Sequence, residues 1–292
     1  MTEGQSSVCF WHDVDAPKDT IDIKNRLEEL AYAGYSLEGF ALHYAKLSGV
    51  NLARANLIGA RLFKADLSDA ILLKANLENA NLNAANLENA NLLGIRLENA
   101  RLERTNWGNL LRQEKLAHEA NRLGKKDDAI QLYGEAEEIA RYLTNESEKR
   151  RQYDVSGRFY RLERVMRRMQ LRPFSSEWLW SKLLDMLCGY GENAARVINF
   201  SGLIIFLSAS IYFFCGLNGS HGKLIFNEQF TFLENSSQFF ECLYFSVITF
   251  TTTGYGDFSP VGFSRVMAAI EAFTGAFSIS LFMVVFVRKM TQ

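Results

Sequence analysis

The chain carries almost no net charge. Its 292 residues sum to −1, so nothing in the balance provides the basic footprint that nucleic-acid binding needs. Histidine is scarce, and His12, His43, His118 and His221 are scattered, with no nucleophile or metal constellation beside them. An enzyme is therefore the least favoured class. The four cysteines (Cys9, Cys188, Cys215, Cys242) have no metal or redox spacing, and the last three fall in apolar segments, where free cysteine acts as a small hydrophobe. Met1 to Thr20 has no basic start followed by an apolar core, so no signal peptide is expected and the first two-thirds should stay in the cytoplasm. Long apolar runs are missing up to about residue 175 and dominate after 195, a split that suggests two or three domains.

What is present begins with a period of five. Residues 1–34 read as a polar lead with one amphipathic helix, about Thr20 to Ala33. Leucine then recurs at 37, 42, 47, 52, 57, 62, 67, 72, 77, 82, 87, 92, 97 and 102, and Trp107 takes the next place. A small or apolar residue, most often alanine, sits two positions before each. On an α-helix, five steps of about 100° would walk the leucines around the whole surface. On a flat strand every second leucine would face away from the others. A chain that turns a corner every five residues sends leucine and alanine into one central column.

This pattern, quoted as Ala75–Asn76–Leu77–Glu78–Asn79, resembles the pentapeptide-repeat family over residues 35–109. The resemblance implies a right-handed quadrilateral β-helix of just under four coils. Some members mimic DNA with an acidic surface, but eight Lys/Arg stand here against seven Asp/Glu. A rigid spacer or docking surface, for self-association or an unknown cytoplasmic protein partner, is the better reading.

Residues 110–174 return to helical periodicity as a cytoplasmic connector. Ala120–Asn121–Arg122–Leu123–Gly124, with Ala129, Tyr133, Ala136 and Ala140, loosely resembles one tetratricopeptide unit, which cannot bury its own face alone. Lys149 to Arg172 carries nine basic residues. A voltage sensor would need an apolar membrane-length helix, so a solvated helix near anionic lipid or a partner is favoured. Residues 175–195 open with Ser175–Ser176–Glu177 and continue with Trp178, Leu179, Trp180, Leu183, Leu184, Met186 and Leu187. That helix is too short to span and suits the membrane interface, either as an anchor or as a transmitter of motion to a pore.

The remaining 196–292 reads as a pore. Spans are expected at 197–217 and 266–287, each long enough for a hydrocarbon core of ~30 Å. Arg196 before the first, and Arg288 and Lys289 after the second, place both ends in the cytoplasm of a multi-pass protein of the cell membrane. Between the spans, 237–250 can re-enter as a half-helix whose carbonyl end favours a cation. The stretch Thr251–Thr252–Thr253–Gly254–Tyr255–Gly256–Asp257 follows. Thr252 to Gly256 reads as an extended strand, with Gly254 and Gly256 free to aim backbone carbonyls at one axis. A similar-looking Gly189–Tyr190–Gly191–Glu192 lacks the threonines and the two flanking spans, and reads as a turn.

The stretch resembles the selectivity filter of the potassium-channel superfamily, usually Thr-Val/Ile-Gly-Tyr-Gly-Asp. The resemblance implies an all-α two-span pore domain with a re-entrant pore helix. One chain supplies only a quarter of the oxygens that replace an ion's water shell, hence a homotetramer. K⁺ would bind at Thr252, Thr253, Gly254 and Tyr255, with Gly256 completing the ladder, and as the permeant ion it calls for no cofactor. Asp257 would stand at the outer mouth, bonded to Tyr244, which occupies the place of a tryptophan in many relatives. Ile248 stands where some relatives have a glutamate. Thr253 replaces valine or isoleucine, and its hydroxyl needs a partner behind the filter.

On the second span, Gly275 matches the hinge glycine of inner helices, or else allows close packing. Ala276, Ile279, Met283 and Val287 share one face by helical spacing and form the expected pore lining, with Met283 or Val287 as a dewetting gate. Glu271 falls off that face, toward the back of the filter, and is read as a structural partner to hydroxyls rather than an ion site. Only five residues follow Val287, so control is expected through the N-terminal side. Two alternatives stay open: a weakly selective cation channel, and a non-conducting membrane-anchored repeat scaffold.

Overall fold

A computed structural model of the chain describes residues 9–18, 20–219, 222–226 and 231–291. His221 and the first eight residues of the N-terminal lead lie outside these. The chain divides into two units, Met1–Pro173 and Phe174–Gln292.

In the first unit the five-residue period becomes a repeated turn. The amide three residues beyond each leucine donates back to that leucine's carbonyl, as in Ala60 to Leu57 (3.0 Å) and Ala80 to Leu77 (3.1 Å). The residue two beyond the leucine is left-handed each time, which a type II turn requires at its third position. Gly59 supplies it at φ +66°, and Lys64, Asn79 and Ala84 supply it without a glycine at φ 54–59°. Parallel bridges then join positions twenty apart, Ala41 to Arg61 and onward to Asn86 with Asn106. Four repeats therefore separate a residue from its partner in the next layer. All fourteen leucines are buried.

A stacked column has two raw ends, and both are covered. At the first, Trp11 stacks on Phe40 (centroids 5.1 Å apart), its carbonyl accepts from the Ala41 amide at 2.7 Å, and Leu27 joins the core from α1 (Ile21–Tyr32). At the second, three helices follow: α2 (Arg112–Arg122), α3 (Lys126–Lys149) and α4 (Tyr153–Met169). Leu111, Ile139, Ala140, Leu143 and Phe159 continue the apolar column beyond Trp107. The last layer's backbone meets side chains. Tyr142 Oη accepts from the Leu97 amide at 2.6 Å, and Arg150 donates to the carbonyls of Leu97 and Ala100 at 2.5 and 2.8 Å. Arg158 donates to the carbonyls of Gly108 and Asn109. The basic run is thus partly inward-facing. Arg150 and Arg158 cap the repeats, and Arg168 is buried.

The second unit opens with α5 (Ser176–Cys188), capped by Ser175, whose hydroxyl accepts from the Trp178 amide. Its end is the Gly189–Tyr190–Gly191 turn, with all three residues left-handed. Next come α6 (Ala194–Cys215), β1 (Leu217–Gly219), β2 (Gly222–Leu224), α7 (Phe232–Phe250), β3 (Ser259–Pro260) and α8 (Phe263–Thr291). The strands form one antiparallel sheet in the order β2-β1-β3. Two helices, Ala194–Cys215 and Phe263–Val287, are long and apolar enough to cross a membrane.

The helix ends differ from the sequence expectation for local reasons. Asn193 caps α6, which starts at Ala194 rather than 197, and Gly216 at φ 96° stops it at Cys215. Thr231 and Glu234 make a reciprocal capping box that starts α7 at Phe232 rather than 237. The α8 helix begins at Phe263 rather than 266, directly after left-handed Gly262. No strand forms over 252–256, where the expected extended ribbon is instead irregular backbone.

Candidate ion pathway

The end of α7 and the segment after it form one hydrogen-bonded unit. The Thr251 amide donates to the Val247 carbonyl at 2.9 Å, and the amides of Thr252 and Thr253 donate to Thr249 and Ile248 at 3.0 and 2.9 Å. Beyond that turn the handedness alternates. Thr252, Gly254 and Gly256 have φ of +56°, +54° and +81°, while Thr253 and Tyr255 do not enter that region. In a strand of uniform conformation successive carbonyls point to opposite sides. Alternating hand turns every second peptide over, so successive carbonyls can share one side. Residues 251–257 are exposed in the single chain, Tyr255 at 71%.

Side chains hold this segment at both ends. Thr253 Oγ1 lies 2.9 Å from Thr251 Oγ1, which donates to the Val247 carbonyl at 2.8 Å. The Tyr244 hydroxyl is within hydrogen-bonding reach of Asp257, and its ring meets Phe258 edge-on at 5.9 Å. The sheet follows at once, with Ser259 and Pro260 paired to Asn218 and Leu217. Ser264, fully buried, donates to the Gly216 carbonyl at 2.9 Å and ties the start of α8 to the end of α6.

Behind the segment lies Glu271, 1% exposed. Tyr212 Oη from α6 donates to its Oε2 at 2.5 Å, its Oε1 bonds Ser246 of α7, and Ser208 is a further hydroxyl neighbour. Ser246 also lies 2.8 Å from the Ile205 carbonyl. One carboxyl side chain thus joins three helices. One turn on, Gly275 faces the end of α7: a Cβ there would fall on the Phe250 carbonyl oxygen and 2.7 Å from its carbon. The contact requires glycine because no side chain fits.

The α8 helix therefore has distinct faces. Glu271, Gly275, Ser278 and Val285 are buried against the unit, whereas Ala276, Ile279, Met283 and Val287 are all exposed. Toward the C-terminal end of α8 Val285 packs with Leu187 and Cys188 of α5 and Val197 of α6. The α5 helix is further fixed by Arg196, which donates to the Asp185 carbonyl and carboxylate at 2.6 and 2.9 Å. Among the described residues no group of three or more His, Cys, Asp or Glu is placed to hold a metal. Neither Tyr212 nor Ser246 is named in the sequence reading, which gives Thr251 no bonding partner. The signal that marks the first two is a polar side chain within an otherwise apolar membrane helix.

Comparison with known proteins agrees with this division. An ion-channel family matches residues 197–292. The pentapeptide-repeat family, in eight copies, matches residues 41–72, 60–99 and 80–107. Among solved structures the chain is similar to a pentapeptide repeat protein (Rfr23) from the cyanobacterium Cyanothece 51142. The identity is 30% over 25% of this chain and 56% of that one, at a TM-score of 0.12. This chain thus spans little more than half of that protein's length. No curated protein matches. The chain thus matches, in order, the pentapeptide-repeat family and an ion-channel family, the latter over a region that holds most of one and all of the other of two helices long and apolar enough to cross a membrane.

Proposed function

We propose that this chain is one subunit of a homotetrameric, potassium-selective channel that conducts K⁺ passively across the cell membrane. The observation that carries the reading is the alternating hand of Thr252, Gly254 and Gly256 in an exposed segment at the end of α7. Four such segments around an axis would line the path with the carbonyls of Thr252, Thr253, Gly254 and Tyr255 in place of water. Exposed backbone at membrane depth is tolerated only where it borders a water-filled path or protein, which favours a ring of copies. In that ring α7 is the re-entrant pore helix. Ala276, Ile279, Met283 and Val287 line the inner cavity, and both termini lie in the cytoplasm. Glu271, Tyr244 and Asp257 support the filter, and Gly275 serves close packing rather than bending.

The twenty-residue bridge spacing supports a right-handed quadrilateral β-helix for the repeats. Its role is regulation or assembly, through an unidentified cytoplasmic protein or a neighbouring copy. Exposed Trp180 of α5 suits a membrane surface, and the packing of Leu187 and Cys188 on Val285 offers a route to the inner mouth. Neither a cofactor, nucleic acid nor an enzymatic step belongs to this reading. Purified protein in liposomes tests it: K⁺ flux well above Na⁺ flux is expected. Equal fluxes would mean a weakly selective cation channel, and no flux a membrane-anchored scaffold.

A further inference from the structure

The selectivity segment departs from its family's pattern at Thr253, and the departure has a partner. Thr251 Oγ1 carries one hydrogen and lies 2.8 Å from the Val247 carbonyl, which can only accept. Thr251 therefore donates there and accepts from Thr253 Oγ1 at 2.9 Å. The same Val247 carbonyl takes the Thr251 amide at 2.9 Å. Two hydroxyls in series thus run from the second residue of the filter to the backbone of α7's last turn, within one chain. Valine at 253 would fill the same space but lose the bond to Thr251, leaving the Thr251 to Val247 bond in place.

We propose that Thr251 and Thr253 are positioning residues that set ion selectivity, by tethering the filter's second residue to the pore helix. The Thr253 peptide sits between left-handed Thr252 and left-handed Gly254, where a small rotation would swing its carbonyl off the axis. A side chain anchored from behind resists that rotation and holds the oxygens at one spacing. A cage of fixed spacing discriminates between ions of different radius better than one that can close around the smaller ion. The proposal rests on the filter reading above and adds to it the residue that departs from the family's usual pattern.

Bi-ionic reversal potentials of the full-length protein in planar bilayers test it, with assembly of each variant checked by its size in detergent. Thr253→Val and Thr251→Val should each lower the K⁺ to Na⁺ permeability ratio about fivefold, the worth of one ordinary hydrogen bond. Thr253→Ser, which keeps the hydroxyl, should stay within about twofold of wild type. The double valine variant should fall no further than either single one, because the two hydroxyls act as one chain. Valine variants with the wild-type ratio, or a double variant showing the product of the two single effects, would overturn the tether while leaving the filter reading intact. A wild-type protein that passes no K⁺, or passes Na⁺ equally, would overturn both.

Discussion

At Gly275 the absence of a side chain is structural, because the backbone of Phe250 occupies the space a Cβ would take. Gly275→Ala is therefore expected to push α8 off α7 and, in the proposed channel, abolish K⁺ flux in liposomes. A glycine that serves only as a hinge predicts the reverse, a variant that still assembles and conducts with altered opening. Glu271 makes a second residue-scale prediction. Glutamine there retains an acceptor for Tyr212 and a polar partner for Ser246, so Glu271→Gln should leave conductance and rectification near wild type. Glu271→Ala strands the buried Tyr212 hydroxyl at about 1–3 kcal/mol, while Ser246 keeps the Ile205 carbonyl, and should lower assembly in detergent. Rectification lost in the glutamine variant would instead assign the carboxylate to the ion path. Thr253 could be read in the sequence as a departure, but its partner could not. Nothing in a row of three threonines says which hydroxyl bonds which, because that depends on how the α7 turn closes.

At the scale of elements, the column of leucines was legible because a five-residue period fits no helix or strand. The caps were not. Trp11 reaches Phe40 and Arg150 reaches Leu97 across stretches that carry no period, and the basic run around Arg150 has the composition of a solvated helix. Arg150→Ala would leave the Leu97 and Ala100 carbonyls without their side-chain donor. It should destabilise the repeat unit by ~2–3 kcal/mol, read as a lower urea midpoint of its circular dichroism. Lysine should recover only part, since it lacks the planar fork. Left-handed alanine costs roughly 1–2 kcal/mol, and glycine loses part of that gain to chain entropy. Ala84→Gly should therefore raise stability by ~0.5–1 kcal/mol, whereas the same change at a right-handed position would lower it. A pH effect also belongs here. Burial alone would raise the Glu146 pKa, but hydrogen bonds from Lys149 and Arg150 overcome it and hold the carboxyl below its ordinary value. With the folded pKa depressed, its contribution is present above the unfolded carboxyl pKa of about 4.3 and is lost as pH falls through the folded value. The urea midpoint of the repeat unit should drop on acidification below pH ~4, and less so in Glu146→Gln.

For the whole molecule, the two family matches along the chain were readable from motif and period, and so were two helices long and apolar enough to cross a membrane. The small sheet was not, since β1, β2 and β3 are two or three residues each and β1 pairs with β3 across some forty positions. Nor was the join between α5 and the C-terminal end of α8, which depends on how Leu187, Cys188, Val197 and Val285 meet in space. In the proposed channel that join would carry an N-terminal signal to the pore, and Leu187→Ala should change open probability while leaving the K⁺ to Na⁺ ratio unaltered.

The central claim is that four copies of Thr252 to Gly256 surround one axis. A density map of the full-length protein in lipid and K⁺ tests it most directly. The account predicts a fourfold ring with the carbonyls of Thr252, Thr253, Gly254 and Tyr255 facing ion density on the axis. A monomer, or segments folded against their own chains with no axis between them, would contradict it.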